Sequence, residues 1–162
     1  MFGRGGEEAE ILATNNIEFE VIPGITSGIA APAYAGIPVT HRNYGSSFAV
    51  IAGHRKNFEE DNTKWESLVK GVDTLAIYMG VKNLPYIQEK LVEFGKSPDT
   101  PVAVINWGTT EKQKTVTGTL TTISDVVKKA KIENPCMIVV GEVVKMREKI
   151  SWFEQLNHSE AY

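Results

Sequence analysis

The chain is poor in cysteine, has no long apolar run and carries no excess of basic charge. Its 162 residues include one cysteine, which excludes an intramolecular disulfide and a cysteine-built metal cage. No apolar stretch reaches the roughly 18 residues of a membrane-spanning helix, and the N-terminal residues lack the basic and apolar regions of a secretory signal. A net charge of -3 argues against non-specific nucleic-acid binding, which needs a concentrated basic surface. We therefore expect a cytoplasmic protein that binds neither nucleic acid nor membrane.

Side chains that commonly hold metals are sparse as well. The three histidines do not form the pairs that a zinc site needs. The acidic run Glu59, Glu60 and Asp61 lacks the alternating ligands of a calcium loop, so we interpret it as a solvated loop. Cys136 heads the apolar run CMIVV, which favours a buried strand thiol over a catalytic nucleophile. We therefore predict no metal site.

The apolar residues, 42% of the chain, form short runs separated by helical patterns. FAVIA, TLAIYM, VAVIN and MIVVG are typical of buried strands, and residues 86–94 and 124–131 are predicted helices. Strands that alternate with helices predict an α/β fold, with a mostly parallel sheet and flanking helices. TVTGTL is rich in threonine and joined without a helix, so it is the best candidate for an antiparallel strand.

The first forty or so residues follow the same alternation but do not complete a layer. A helix is predicted at 7–14 and a short strand at 19–22, which together make half of an α/β unit. The polar segment RNYGSS then separates them from the first long strand. We expect residues 1–43 to be the remnant of an N-terminal α/β domain with its interdomain connection, and residues 44–162 to be a complete C-terminal α/β domain.

Four predicted strands are followed by glycine, at Gly53, Gly80, Gly108 and Gly141. In an open α/β sheet, ligands bind at the carboxyl ends of the strands, and glycine lets the backbone approach them. Parallel strands would bring the four glycines to one edge. The alternative is that each glycine only makes a tight turn after its strand.

Residues 21–42, VIPGITSGIAAPAYAGIPVTHR, combine a sharp turn, a helix of small residues and a polar exit. Thr26 or Ser27 can serve as the N-cap of this helix. Its alanines make it thin, so that a neighbouring element or a ligand can approach closely. The stretch therefore predicts a junction where a binding cleft could form.

The motifs GRGGEEAE, IPGITSGIAAPAYAGIPVTHR, IYMGVKNLP, NWGTT, TVTGTL and VVGEVV occur in this order along almost the whole chain. Together they closely resemble the uroporphyrinogen-III C-methyltransferases of the tetrapyrrole methylase family. Members of that family carry roughly another hundred residues ahead of this point, about the size of a small domain. The resemblance therefore implies a tetrapyrrole-methylase-like fold and the C-terminal part of such an enzyme.

The resemblance also implies a cofactor, S-adenosylmethionine, with S-adenosylhomocysteine as its product. The family binds it in the cleft between two α/β domains. Matched by motif, the cofactor-binding residues are Thr26 and Ser27 in GITS, Met79 in YMG and Gly108 in WGT. Apolar side chains and glycines at strand ends suit a flat adenine ring, although Met79 could equally fill the core.

The implied reaction is methyl transfer to pyrrole carbons of uroporphyrinogen III, which gives precorrin-2. Arg42 in the THR motif would bind substrate carboxylates, and Arg4 and Glu7 in GRGGEE would organise the catalytic site. A solvated charge for either arginine, and a first-turn helix acid for Glu7, remain the alternatives. His41 and His54 are further candidates for moving a proton, because the reference pKa of histidine is near neutral.

Two other functions remain open. The chain could be a non-catalytic α/β domain that self-associates through apolar residues 19–22 and the alanine-rich helix. It could also be a tetrapyrrole methylase for another substrate. By resemblance we expect a homodimer that serves sirohaem or cobalamin synthesis. We expect little or no methyl transfer by this chain alone, because a misalignment of about 1 Å can lower a rate about a hundredfold.

Overall fold

The computed structural model of the chain describes residues 4–53 and 64–154. His54 and the acidic run 59–61, both interpreted above, lie outside these ranges. No helix within the ranges is long and apolar enough to cross a membrane. The helices are α1 (Gly5–Thr14), α2 (Ser27–Tyr34), α3 (Trp65–Gly71), α4 (Leu84–Glu93), α5 (Ile123–Lys129) and α6 (Arg147–Ile150). The strands are β1 (Phe48–Ala52), β2 (Thr74–Tyr78), β3 (Pro101–Asn106), β4 (Lys114–Thr119) and β5 (Cys136–Val140).

The strands form one mixed sheet in the order β1-β2-β5-β3-β4. β1 and β2 are parallel, whereas β2 with β5, β5 with β3, and β3 with β4 pair antiparallel. The predicted α/β class with flanking helices is confirmed, and so is the antiparallel strand TVTGTL, which is β4. The prediction of mostly parallel pairing is wrong.

The pairing is mostly antiparallel because of the hairpin between β3 and β4. A strand, a helix and a second strand that cross over in the usual way run in the same direction, as β2, α4 and β3 do. The hairpin reverses the chain once, and α5 then carries the reversed direction of β4 into β5. Because β5 inserts between β2 and β3, this single reversal makes both of its pairings antiparallel.

Both faces of the sheet are buried, as expected where helices cover a sheet on two sides. One face packs against α3, α4 and α5. Alternate strand residues supply its core, with Leu75, Ile77, Val102, Val104, Ile138 and Val140 all nearly inaccessible. Helix α4 buries Leu84, Ile87 and Leu91, which recur at helical spacing on its inner side.

Helix α2 covers the other face, where the contacts are between small side chains. Ala31 of the helix and Ala35, which follows its last residue, share a buried cluster with Ala76 of β2 and Ala103 of β3. Small residues on both partners allow the helix to lie close to the sheet. The prediction that the alanines permit close approach is therefore confirmed.

The segment between α1 and α2 has no regular secondary structure over residues 17–26. The predicted strand at 19–22 is wrong, since no strand in the described ranges pairs with it. Several of its apolar side chains are exposed, among them Phe19, Ile22 and Ile25. The predicted domain boundary between residues 43 and 44 stays a prediction.

Asp73, just before β2, holds the chain that enters β1. Its Oδ2 accepts the Ser47 hydroxyl at 2.8 Å and the backbone N–H groups of Ser46 and Ser47 at 2.8 and 3.0 Å. The Ser47 hydroxyl in turn accepts the Asp73 N–H at 2.8 Å. The Ser47 side-chain bond first, and then the two backbone bonds, hold the pKa of Asp73 below its usual range.

Candidate functional site

The carboxyl ends of β1, β2 and β3 meet at one edge of the sheet, beside the first residue of β5. An open cavity of about 450 Å³ lies between this edge and α2. None of its lining residues carries a charged side chain, and most are apolar. They are Ser27, Ala31, Tyr78, Met79, Ile105, Trp107, Gly108, Thr110, Asn134, Pro135, Cys136 and Met137.

The glycines after the strands do not all reach this edge. Gly53, Gly80 and Gly108 follow β1, β2 and β3, which run in the same direction. Gly141 follows the reversed strand β5, so it lies at the opposite edge, where a Cβ would meet the Asp73 carbonyl oxygen at 2.7 Å. The expectation that four glycines share one edge is wrong for Gly141.

The start of α2 is tied to the end of β2 by a tyrosine hydroxyl. Thr26 occupies the N-cap position, as predicted, but its side chain makes no capping bond to the helix. Instead its hydroxyl bonds to the Tyr78 hydroxyl, which also accepts the Gly28 N–H at 2.6 Å. The Tyr78 hydroxyl thus accepts a hydrogen bond from a first-turn N–H group, a role that the N-cap side chain usually has. This arrangement fixes Ser27 at the rim of the cavity.

The strand ends that line the cavity are held in an uncommon backbone conformation. Met79 has a φ of 56° and Trp107 a φ of 48°, and Thr109, two residues further on, has a φ of 70°. Left-handed backbone is unfavourable for side chains of this size and persists only where the surroundings enforce it. Both Met79 and Trp107 also leave large apolar side chains exposed, at 44% and 47%.

Gly108 lies against α2 with no room for a side chain. A Cβ at this position would be 2.6 Å from the Ala31 Cβ and 3.3 Å from the Ala31 Cα. Its φ is not in the left-handed region, so the requirement for glycine is one of space. Gly108 therefore sets how closely α2 approaches the end of β3.

Cys136 forms part of the cavity wall at the start of β5. Its Sγ donates to the Glu133 carbonyl at 2.9 Å, and the Asn106 side-chain nitrogen lies 3.4 Å from the sulfur. Burial raises the pKa of the Cys136 thiol, and the Asn106 contact offsets this only in part. The thiol is protonated at neutral pH, so it contributes an apolar surface and not a nucleophile.

Comparison with known protein families identifies the group to which this site belongs. The family model of the tetrapyrrole (corrin/porphyrin) methylases matches residues 1–124, which is more than half of the chain. The chain belongs to the tetrapyrrole methylase family. The matched residues include α2 and the ends of β2 and β3, which form most of the cavity wall.

Individual proteins are similar over almost the whole chain. A uroporphyrinogen-III C-methyltransferase of Priestia megaterium is 67% identical over 144 residues, which are 89% of this chain and 60% of the relative. A siroheme synthase of Neisseria meningitidis serogroup C is 50% identical over 153 residues, 94% of this chain and 31% of the relative. The chain thus spans less than two thirds of the length of either relative.

A solved structure of the family has the same fold. Uroporphyrin-III C-methyl transferase from Thermus thermophilus, complexed with S-adenosyl homocysteine, superimposes with a TM-score of 0.75 at 30% sequence identity. The match covers 90% of this chain and 62% of that structure. The mixed sheet and flanking helices described above are therefore those of a tetrapyrrole methylase.

Three of the four residues predicted to bind the methylase cofactor line one cavity. Ser27, Met79 and Gly108 come from α2 and from the ends of β2 and β3, and all three are in its wall. Thr26 is not a wall residue, but it is bonded to the wall residue Tyr78. Their roles in binding stay predictions.

The residues predicted for substrate and catalysis lie outside that wall. Arg4 and Glu7 are neighbours on the first turn of α1, with Arg4 Nη2 2.5 Å from Glu7 Oε2 and their side chains 82% and 59% exposed. Arg42 is exposed in the turn after α2. His41 stacks near Tyr44, with ring centroids 5.1 Å apart, and accepts the Asn43 N–H at its Nδ1. The predicted catalytic roles of Arg4 and Glu7, and the substrate role of Arg42, therefore remain to be tested.

Several wall residues of the methylase cavity were missed by the sequence analysis. Tyr78 and Trp107 appeared there only as neighbours of glycine, and Asn134 and Pro135 did not appear at all. The last two precede β5, and only the reversed direction of β5 brings them to this edge. The signal that could have found them is the helix-free link between β3 and β4.

No group of three or more potential metal-ligating side chains occurs in residues 4–53 and 64–154. The cavity is suited to an uncharged, partly flat organic group, because its walls are apolar and its polar groups are few. Its volume of about 450 Å³ lies within the range of roughly 300–1,000 Å³ that is usual for small-molecule sites. The residues present therefore fit the adenosyl part of the methylase cofactor.

Proposed function

We propose that this chain binds S-adenosylmethionine and serves methyl transfer to uroporphyrinogen III, which yields precorrin-2. One observation carries the proposal: Ser27, Met79 and Gly108 line one uncharged cavity in a member of the tetrapyrrole methylase family. The similar protein of Priestia megaterium bears that activity in its name, and the similar Thermus structure is complexed with S-adenosyl homocysteine. The siroheme synthase relative supports a role in sirohaem synthesis.

When bound, S-adenosylmethionine supplies an electrophilic methyl group on its sulfonium sulfur. The chain's own residues bind and orient it. Met79 and Gly108 offer an apolar surface at two strand ends, and the Ser27 hydroxyl adds a polar partner on the α2 side. The contribution of these residues is therefore mainly positioning.

The substrate side of the proposed reaction needs positive charge, because uroporphyrinogen III carries eight carboxylates. Arg42 is exposed, and its guanidinium can pair with a carboxylate through two parallel hydrogen bonds. Glu7 accepts Arg4 Nε at 2.7 Å, which holds the carboxylate in place. The new carbon–methyl bond would leave the pyrrole ring positively charged, and Glu7 Oε2 would then accept the ring N–H proton while Arg4 orients the carboxylate.

Calorimetric titration with S-adenosylhomocysteine tests cofactor binding without turnover. We expect micromolar binding by the 162-residue chain, and a clear loss of affinity in Met79→Ala. Met146→Ala is the matched control, since Met146 is partly buried but is not a wall residue. Equal affinity in the two variants would contradict the proposed site, and no binding by the unaltered chain would contradict the proposed function.

The nature of the substrate needs a separate measurement. By itself the chain should give little or no product when it is incubated with uroporphyrinogen III and S-adenosylmethionine, because it spans only 60% of the Priestia megaterium relative. A product heavier by two methyl groups in mass analysis would contradict that expectation and show that the chain is active alone. The same assay with other tetrapyrroles distinguishes a methylase for a different substrate. Weaker binding of uroporphyrinogen III by Arg42→Ala, with cofactor affinity unchanged, is the result expected if Arg42 binds carboxylates.

We also propose that the chain forms a homodimer in the cytoplasm. The exposed apolar side chains between α1 and α2 support pairing with a second copy, Ile25 being 82% exposed and Ile22 74%. If this pairing were the whole function, the chain would be a self-associating domain without activity. The lone, half-buried Cys136 needs no oxidising compartment, which agrees with the cytoplasm.

Light scattering after size exclusion tests the dimer. We expect the mass of two chains, and a shift toward one chain in the double variant Phe19→Ser/Ile22→Ser. Val92→Ser is the control, because Val92 is an exposed apolar residue on α4, away from this segment. A single-chain mass for the unaltered protein would overturn the proposal.

A further inference from the structure

Trp107 is an exposed aromatic residue whose backbone is fixed at the cavity mouth. Its N–H donates to the Pro135 carbonyl at 3.2 Å, and its own carbonyl accepts the Thr110 hydroxyl at 2.8 Å and the Thr110 N–H at 3.2 Å. These bonds hold the left-handed φ of 48°. A bulky residue in this conformation is a local disadvantage, so its presence at the cavity mouth points to a use for the side chain.

Packing within the protein does not account for the indole. Trp107 is 47% exposed and belongs to neither of the two buried clusters of the described residues. Lys112 Nζ lies 6.0 Å from the ring centroid, but at an exposed site such a contact stabilises little. The ring instead contributes to the wall of the cavity.

Met79 stands across the cavity from Trp107 in a similar position. The strand register pairs Tyr78 with Met137 and Asn106 with Cys136. Met79 and Trp107 therefore follow strands that flank β5, about 10 Å apart at the usual strand spacing. A flat ring in van der Waals contact with both side chains needs them ~7–8 Å apart, so side chains that lean toward the cavity would close the difference from the backbone spacing.

The lack of charged side chains in the wall determines which part of a ligand can bind there. No charged side chain lines the cavity, so the carboxylate-rich face of a tetrapyrrole has no partner there. A purine base is flat and uncharged, and it carries donors and acceptors at its edge. Ser27, Asn134 and Thr110 are wall residues that can meet such an edge.

We infer that Trp107 is a binding residue that stacks on the purine base of the adenosyl ligand, with Met79 on the opposite face of the base. The inference rests on the proposed function and adds the orientation of the ligand: the base lies between β2 and β3. Stacking of a base on an aromatic side chain makes a large contribution to affinity, as in single-strand nucleic-acid sites.

The test compares Trp107→Leu and Trp107→Phe with the control Trp152→Leu. Trp152 is similarly exposed, at 44%, but it packs on Tyr34 and is not a wall residue. S-adenosylhomocysteine and adenosine are titrated by calorimetry and by tryptophan fluorescence. We expect affinity for both to fall roughly tenfold or more in Trp107→Leu, and to be largely kept in Trp107→Phe.

The fluorescence readout separates stacking from a structural role. Ligand should quench tryptophan emission in the unaltered chain and in Trp152→Leu, and the quenching should vanish in both Trp107 variants. Unchanged affinity or persistent quenching in Trp107→Leu would overturn the stacking inference and leave the proposed function standing. No binding of S-adenosylhomocysteine by the unaltered chain would overturn both.

Discussion

Replacement of Gly108 by alanine tests how the distance between α2 and β3 controls the cavity. The added Cβ would stand 2.6 Å from the Ala31 Cβ, whereas ordinary contacts between such atoms begin at 3.4 Å. Helix α2 must therefore move outward by about 1 Å, since backbone lies on both sides of the contact. Forced overpacking of this kind costs about 1–3 kcal/mol of unfolding free energy.

The same displacement should weaken cofactor binding, because α2 carries Ser27 at the cavity rim. We expect Gly108→Ala to lower the urea unfolding free energy by about 2 kcal/mol, in line with other overpacked sites. We also expect its affinity for S-adenosylhomocysteine to fall at least several-fold. Gly71→Ala is the control, because a Cβ at Gly71 meets nothing within 4 Å and the residue ends helix α3.

A second variant distinguishes steric overlap with Ala31 from other effects of the Gly108→Ala change. Ala31→Gly removes the atom that the new Cβ would strike, although a glycine within a helix costs roughly 0.5–1 kcal/mol by itself. The double variant Gly108→Ala/Ala31→Gly should therefore be destabilised by less than the sum of the two single changes. Strict additivity, or a Gly108→Ala protein as stable as the Gly71→Ala control, would refute the reasoning.

Three further predictions follow from contacts described above. Ser47→Ala should raise the pKa of Asp73 toward its usual value and lower the unfolding free energy at pH 7 by about 1 kcal/mol. Because the folded pKa of Asp73 is depressed, that stability is present above roughly pH 4 and is lost as the pH falls through the folded pKa. Leu91→Ala, at a fully buried site in α4, should cost about 2–5 kcal/mol in urea unfolding. Tyr78→Phe leaves the Gly28 N–H without its partner and should weaken S-adenosylhomocysteine binding more than it lowers the melting temperature.

Each of these has a result that would contradict it. A loss in Ser47→Ala that grows toward acid pH would mean that Asp73 is not the titrating group. Val92→Ala, at the exposed neighbour of Leu91, should change stability by less than about 0.5 kcal/mol. If Tyr78→Phe binds ligand normally, the hydroxyl does not position α2.

The fold class and three residues of the cavity wall could be predicted from sequence, and the direction of one strand could not. Apolar runs such as VAVIN and CMIVV mark buried strands regardless of direction, because both faces of the sheet are covered. The direction of β5 depends on the link between β3 and β4, which lies well before β5 in the sequence. Asn134 and Pro135 were missed for this reason, and Gly141 was assigned to the wrong edge.

Met79 could be assigned to the site because its motif, YMG, resembles that of the family, and the residue lies in the cavity wall. The exposed residues Arg4, Glu7 and Arg42 are different. A charged residue at the start of a helix or in a turn looks the same in sequence whether it binds a ligand or only faces solvent. Their chemistry depends on what lies opposite them. The sequence therefore indicates which residues lie in the cavity wall better than it indicates what the exposed charged residues contact.

The position of β5 has a consequence for synthesis on the ribosome. It is the last strand of the described chain and the central one of the sheet, lying between β2 and β3. As the chain emerges, β1 with β2 and β3 with β4 can form two separate ribbons, each with an open inner edge. Small two-stranded units are only marginally stable, and unpaired edges invite association with other chains. The nascent chain is thus most prone to aggregate until Cys136–Val140 leaves the exit tunnel and joins the two halves.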